Sequence, residues 1–257
     1  MTLRTDITLV WALVRRAANE LLRVPGAAIP GVLAPTIFFV GLTSVFGNLT
    51  LLPGFDTHSY QSFLVPISLM QGAAFTGAAT GVNLARDIEN GWFDRLLASP
   101  APRPALLAGL VASASLRALV PASVVLLVAF AVGAHFPGFD GLLIALVVVM
   151  GMAAVAAAWG TALALRFRSQ SAAPLMQAGM FVAVLTTTAY APLELLTGWL
   201  HTVAKYNPVT QVVEAVRQGF VGGVSWSDTW PGLLALAGLG LVMTYFALRG
   251  MRRITVD

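Results

Sequence analysis

The sequence contains no cysteine, a single lysine and few charges of either sign. Without cysteine, disulfides and thiolate metal sites are excluded. Charged residues make up 10 % of the 257, against about 25 % in an ordinary soluble domain, so polar surface is too scarce to cover a water-exposed core of this size. The first 23 residues lack the uninterrupted apolar core and small-residue cleavage site of a secretory signal. A G-x-x-x-x-G-K-[ST] phosphate loop is missing, which excludes ATP hydrolysis by this chain. No H-E-x-x-H occurs, no pair of acids shares an apolar run, and His58, His135 and His201 fall between runs. No metal site and no intramembrane protease centre is therefore expected.

Apolar residues are plentiful: 58 % of the chain, with a mean hydropathy of +0.82. They gather in six stretches, at about 27–47, 60–84, 105–134, 141–165, 172–196 and 230–249. Each is near the ~20 residues that cross ~30 Å of hydrocarbon as a helix. The basic residues, 14 of the 15 being Arg, punctuate these stretches in short clusters. They line no common polar face, which argues against nucleic acid. With a cytosolic N-terminus, 12 of the 15 fall in cytosolic segments. Short loops rich in Lys and Arg stay in the cytosol, so both termini are expected there, in a cell's inner membrane.

Residues 5–23 predict an amphipathic helix lying on the membrane surface. Ile7, Val10, Trp11, Val14, Ala18 and Leu21 recur on one face, and Arg15, Arg16, Asn19, Glu20 and Arg23 fill the other. The long third stretch is expected to start below the hydrocarbon, leaving Arg117 to snorkel to the inner interface. Gly77 and Gly81 form a GxxxG pair in the second stretch, and residues 153–158 give the fourth a small face. Such pairs serve close packing within one chain or between two.

Two segments do not fit a plain bundle. The cytosolic loop 85–103 contains Glu89, Gly91, Trp92, Phe93, Asp94, Arg95, Leu96, Leu97, Ser99 and Pro100. Trp92, Phe93, Leu96 and Leu97 stand at helical spacing, predicting a short amphipathic helix that exposes aromatics as a docking surface; a loop resting on the membrane interface is the plainer alternative. On the outer side, residues 197–222 predict a helical hairpin. There Asn207 is the N-cap, Pro208 the first helical residue and Gly219 the stop. Val209, Val212, Val213, Val216 and Phe220 make one face, with Glu214 and Arg217 paired on the other. About 12 residues cannot span a bilayer, so this helix lies in the outer interface or dips in and returns.

In these two segments the chain resembles the membrane subunit of type-2 ABC exporters, in the daunorubicin-resistance and nodulation-factor export branch. Glu89, Gly91, Asp94, Leu96, Leu97, Ser99 and Pro100 match that family's E-x-G-x-x-[ED]-x-L-L-x-[ST]-P pattern, with Trp92 where a Thr is usual. Asn207, Pro208 and Thr210, followed by Glu214 and Arg217, look like its N-P-x-[ST]…E…R stretch. The resemblance implies an all-α membrane protein of six transmembrane helices. With them come the N-terminal interface helix, a cytosolic gate or coupling helix, and an outer re-entrant hairpin. It also implies two ABC ATPase subunits carrying the ATP and Mg, a second permease copy, identical or homologous, and no cofactor on this chain.

The expected mechanism is nucleotide-driven alternating access, transmitted through the 89–99 helix and the surface helix. Substrate would pass between two copies along the first, second and fifth spans. Gln71, Thr76, Asn83, Gln177, Thr187, Tyr190 and Glu194 are the candidate pathway residues, although interhelical hydrogen bonding explains such groups equally well. An apolar path favours a hydrophobic or amphipathic cargo, a drug or a lipid. A polysaccharide or glycolipid is the second cargo reading, and the interfacial placing of Trp11, Trp92, Trp199, Trp226 and Trp230 speaks against it. A self-sufficient secondary transporter would need intramembrane ionisable groups, which are scarce here.

Overall fold

A computed structural model describes residues 10–12, 14–16, 19, 29–53, 55, 57, 59–97 and 102–253, with backbone alone at 29, 30, 94, 95 and 97. Among the described residues all regular structure is helical. Residues 10–12, 14–16 and 19 are helical; the rest of the expected surface helix lies outside the described residues, as do Ser99 and Pro100.

The bundle begins with α1 (Ile29–Phe46), followed by a 3-10 turn at Gly47–Leu51 and by α2 (Tyr60–Glu89). Ser59 caps α2, its side chain accepting from the Ser62 amide. A turn at Gly91, whose φ of +67° suits a residue without Cβ, leads into the short α3 (Trp92–Leu97). Then come α4 (Arg103–Arg117) and α5 (Leu119–Ala131). The expected long third stretch is thus divided at Ala118. Pro121 has no N–H for the carbonyl of Arg117, and the preceding turn yields. The centre of the molecule is α6 (Gly138–Phe167), packed along α2 and also against α10 (Trp226–Arg252).

Among the described residues, five helical stretches are long and apolar enough to cross a membrane: 31–51, 60–89, 103–131, 138–167 and 226–252. At about 1.5 Å per residue, α2 and α6 run roughly 45 Å, beyond the hydrocarbon at one or both ends. A sixth apolar helix is shorter: α7 (Ala173–Leu185) ends well before the expected limit near 196. The reason lies in the run Thr186-Thr187-Thr188. Thr186 and Thr187 donate back to the carbonyls of Val182 and Val184, and the amide of Asn207 donates to the carbonyls of Ala183 and Thr186. The open end of the helix is satisfied by side chains in place of another turn.

Beyond it, α8 (Gly198–Tyr206) and α9 (Pro208–Val221) form the expected hairpin. Asn207 caps α9, accepting from the Val209 amide. Helix α9 does not stop at Gly219. It continues to Val221 because Gly219 serves another purpose: a Cβ there would meet the Cα of Gly141 at 3.0 Å. The polar stripe of α9, Gln211, Glu214 and Gln218, faces a cavity. The rest of α9 is buried against α2, α6 and α10, while Trp199 and Tyr206 of α8 stay exposed.

Gly77 and Gly81 settle against the same chain. A Cβ on Gly77 would run into Ala153 and Ala156, and one on Gly81 into the backbone of Gly160. The small faces of α2 and α6 let their backbones touch, as in membrane helix pairs that lack a hydrophobic drive to associate.

Candidate functional site

Two constellations stand at opposite ends of the bundle. At one end, α3 is anchored by Phe93, which is 1 % exposed and packs in a cluster with Leu84, Leu107, Met176, Ala247 and Met251. The expectation of an exposed aromatic pair is corrected here. Phe93 points into the bundle, into an apolar cluster to which α2, α4, α6, α7 and α10 contribute. Trp92 is half-buried beneath the guanidinium of Arg16, whose carbon lies 3.9 Å from the ring centre. Arg16 also binds both carboxylate oxygens of Asp87, at 3.2 and 3.1 Å. A residue of the surface helix thus bridges α2 and α3.

Glu89, at the end of α2, reaches across to the 166–171 loop. Its Oε1 accepts from Ser169 Oγ and the Gln170 amide, each at 2.8 Å, and its Oε2 accepts from Gln170 Nε2 at 2.6 Å. Arg86 Nε donates to the other end of that amide at 3.1 Å. The charged acceptor makes these the stronger kind of hydrogen bond. Three segments at this end are therefore interlocked: the N-terminal helical residues through Arg16, the end of α2 with α3, and the 169–170 turn. Leu96 is partly buried beside Phe93; the side chains of Asp94, Arg95 and Leu97 lie outside the described set.

At the other end, Arg217 of α9 pairs with Glu214 as expected, but is buried at 5 % exposure instead of lying opposite the packed face. It donates to Thr188 twice, from Nη2 to the carbonyl at 2.6 Å and from Nη1 to the hydroxyl at 3.1 Å, and from Nε to the Phe63 carbonyl at 3.4 Å. It forms an ion pair with Glu214 one turn away and lies 3.9 Å over the Phe63 ring. Glu214 in turn accepts from the Thr188 hydroxyl. Burial of a guanidinium requires this many partners. The Thr210 hydroxyl donates to the Ala204 carbonyl and holds the hairpin's two arms together. Above the group opens a cavity of about 590 Å³, lined by Glu194, Glu214, Arg217 and Asp228 among others. Glu194 is exposed on a 3-10 turn, and Lys205 sits 5.9 Å from the Tyr206 ring centre.

The candidate pathway residues divide. Gln71 is buried and donates to the Tyr190 hydroxyl at 3.3 Å; Tyr60 donates to the Tyr190 carbonyl at 3.1 Å. Thr187 is buried and satisfied within its own turn. Thr76 faces Gly31 of α1, and Asn83 and Gln177 are half-buried on α2 and α7. Arg117 Nη2 donates to Thr80 Oγ1 at 2.7 Å, tying α4 to α2.

Several participants escaped sequence reasoning. Asp87 as partner of Arg16, Ser169 and Gln170 as partners of Glu89, and Thr188 and Phe63 as acceptors for Arg217 are brought together only by tertiary structure. A ring chain, Phe38–Phe181 at 6.2 Å and Phe75–Phe181 at 5.7 Å, joins α1, α2 and α7.

The ABC-2 type transporter family model matches residues 8–221. A probable doxorubicin resistance ABC transporter permease protein of Mycobacterium tuberculosis is 28 % identical over 247 residues, covering 94 % of this chain and 86 % of that one. A daunorubicin resistance ABC transporter permease protein of Streptomyces coeruleorubidus is 26 % identical over 238 residues, covering 91 % and 81 %. A probable multidrug ABC transporter permease of Escherichia coli is 27 % identical over 192 residues, covering 70 % and 50 %.

Proposed function

This chain belongs to the ABC-2 type transporter family, and from that premise we propose that it is the membrane-spanning permease subunit of an ATP-driven exporter. Its cargo is a hydrophobic or amphipathic compound, drug or lipid, taken from the cytosol or inner leaflet. Relatives named for doxorubicin, daunorubicin and multidrug transport support that cargo class. The subunit is non-catalytic. ATP and Mg belong to a separate ABC ATPase, present in two copies, and both termini of the permease face the cytosol of a bacterial cell membrane. A second permease copy completes the path. The exposed Leu33, Ile37 and Phe38 of α1, beside Leu175 and Val182 of α7, support a partner against those helices.

The observation that carries this reading is the interlocked cytosolic shelf. A six-residue helix follows the end of α2, held by the buried Phe93 and by Arg16 over Trp92, while charged hydrogen bonds at Asp87 and Glu89 clamp the end of α2 that carries it. A rigid lever of this kind transmits displacement from an ATPase into α2 with little loss. Nucleotide then drives transport by binding one membrane conformation more tightly than the other. The test is the double substitution Trp92→Ala with Asp94→Ala in the purified permease–ATPase complex. Loss of assembly or of transport-coupled ATP hydrolysis is expected; if both persisted unchanged, the docking role would be wrong.

A further inference from the structure

A second cleft, of about 560 Å³, opens between the C-terminal ends of α6 and α10 and takes no part in the shelf or the outer cavity. Trp159, Leu163, Met243 and Phe246 line it, and so do Arg166, Arg168, Arg249 and Arg253. The two helices end on the same side, so the four guanidinium groups gather at one end of an otherwise apolar wall. No Asp or Glu lines the cleft, and the ion pairs among the described residues lie elsewhere. Arg249 has only a 3.5 Å contact with the Tyr245 hydroxyl. Arg168 holds a left-handed conformation, φ +52°, alone among the described non-glycine residues. Glycine adopts that conformation at lower cost, yet an arginine stands here, in the lining. Phe246 is half-exposed, so the cleft is open to the bilayer side.

We propose that this cleft is a binding site for an anionic phospholipid of the inner leaflet. The phosphate sits among Arg166, Arg168, Arg249 and Arg253, and the start of an acyl chain lies along Trp159, Leu163 and Met243. Guanidinium forks suit phosphate oxygens, and basic pockets between spans on the cytosolic side recognise acidic headgroups. The apolar wall selects a lipid over a free anion.

The test is native mass spectrometry of the full chain in detergent, titrated with phosphatidylglycerol and phosphatidylcholine at equal concentrations. One phosphatidylglycerol is expected to be retained in preference, by on the order of tenfold. Arg168→Gln with Arg249→Gln should weaken it by about fivefold per charge. Ala162→Phe, which fills the cleft and leaves the arginines, should also displace it. Equal retention of the two lipids, or unchanged retention in the arginine variant, overturns the proposal. Displacement by inorganic phosphate alone also overturns it and makes the site a free-anion site. If the arginine variant kept its lipid and lost the ATPase from the complex, the cleft would be a protein contact.

Discussion

The guanidinium of Arg217 donates to the carbonyl oxygen of Thr188 at 2.6 Å. This joins α9 to the segment of chain that replaces the last turns of α7. The same threonine hydroxyl lies between Arg217 and Glu214. One arginine therefore ties the segment after α7 to α9.

Replacing it should loosen both. Arg217→Met keeps much of the volume and removes the donors, leaving the Thr188 carbonyl without its partner. A cost of about 1–3 kcal/mol is expected, read as a lower unfolding midpoint of the detergent-solubilised permease. Arg217→Lys should recover only part of it, since an ammonium lacks the planar fork. An unchanged midpoint in Arg217→Met would show that the network carries no stability.

Phe93 and Trp92 are neighbours in sequence with opposite expected phenotypes. Phe93→Ala empties a packed site and should cost about 3–5 kcal/mol, so the permease should be poorly stable even without its ATPase. Trp92→Ala removes a contact with Arg16 worth about 0.5–2 kcal/mol. It should leave the permease folded and lower its coupled ATPase rate. Thermal unfolding of the isolated permease, set beside ATP turnover of the complex, separates the two.

The layout was legible in the sequence where the bilayer leaves little choice. Apolar length placed α1, α2, α6 and α10, and Asn207-Pro208 marked the start of α9 by its capping chemistry. The errors occurred where tertiary partners override local pattern. Arg217 has helical spacing suited to a surface pair with Glu214, and nothing local reveals that Thr188 and Phe63 supply acceptors inside the bundle. Phe93 next to Trp92 reads as an exposed pair only while the pocket formed by Leu107, Met176 and Met251 is out of sight. The early end of α7 was encoded in three successive threonines, but the asparagine that satisfies its carbonyls lies some twenty residues later.

Glu89→Gln tests the tie between the end of α2 and the 169–170 turn. The neutral amide is a weaker acceptor for Gln170 and Ser169, so the backbone amide of Gln170 should exchange with solvent faster. Because the bonds are exposed, global stability should change little. Hydrogen exchange over residues 166–172 reads the local opening, and coupled ATP hydrolysis should fall with it. Unchanged exchange at Gln170 would mean that the turn holds itself.

The α2–α6 contact permits the sharpest comparison, because one substitution has opposite consequences at two glycines of the bundle. At Gly81 a Cβ overlaps the backbone of Gly160, which cannot rotate away as a side chain would. Gly81→Ala must push α2 and α6 apart, and overpacking of this kind costs about 1–3 kcal/mol. At Gly41, in α1, a Cβ meets nothing within 4 Å. Gly41→Ala gains helix propensity and should stabilise by roughly 0.5–1 kcal/mol. Unfolding midpoints of the two variants should therefore move in opposite directions from the parent. If Gly81→Ala were neutral, the two backbones would not be in contact in the membrane. The lever at the end of α2 would then have no rigid partner to push against.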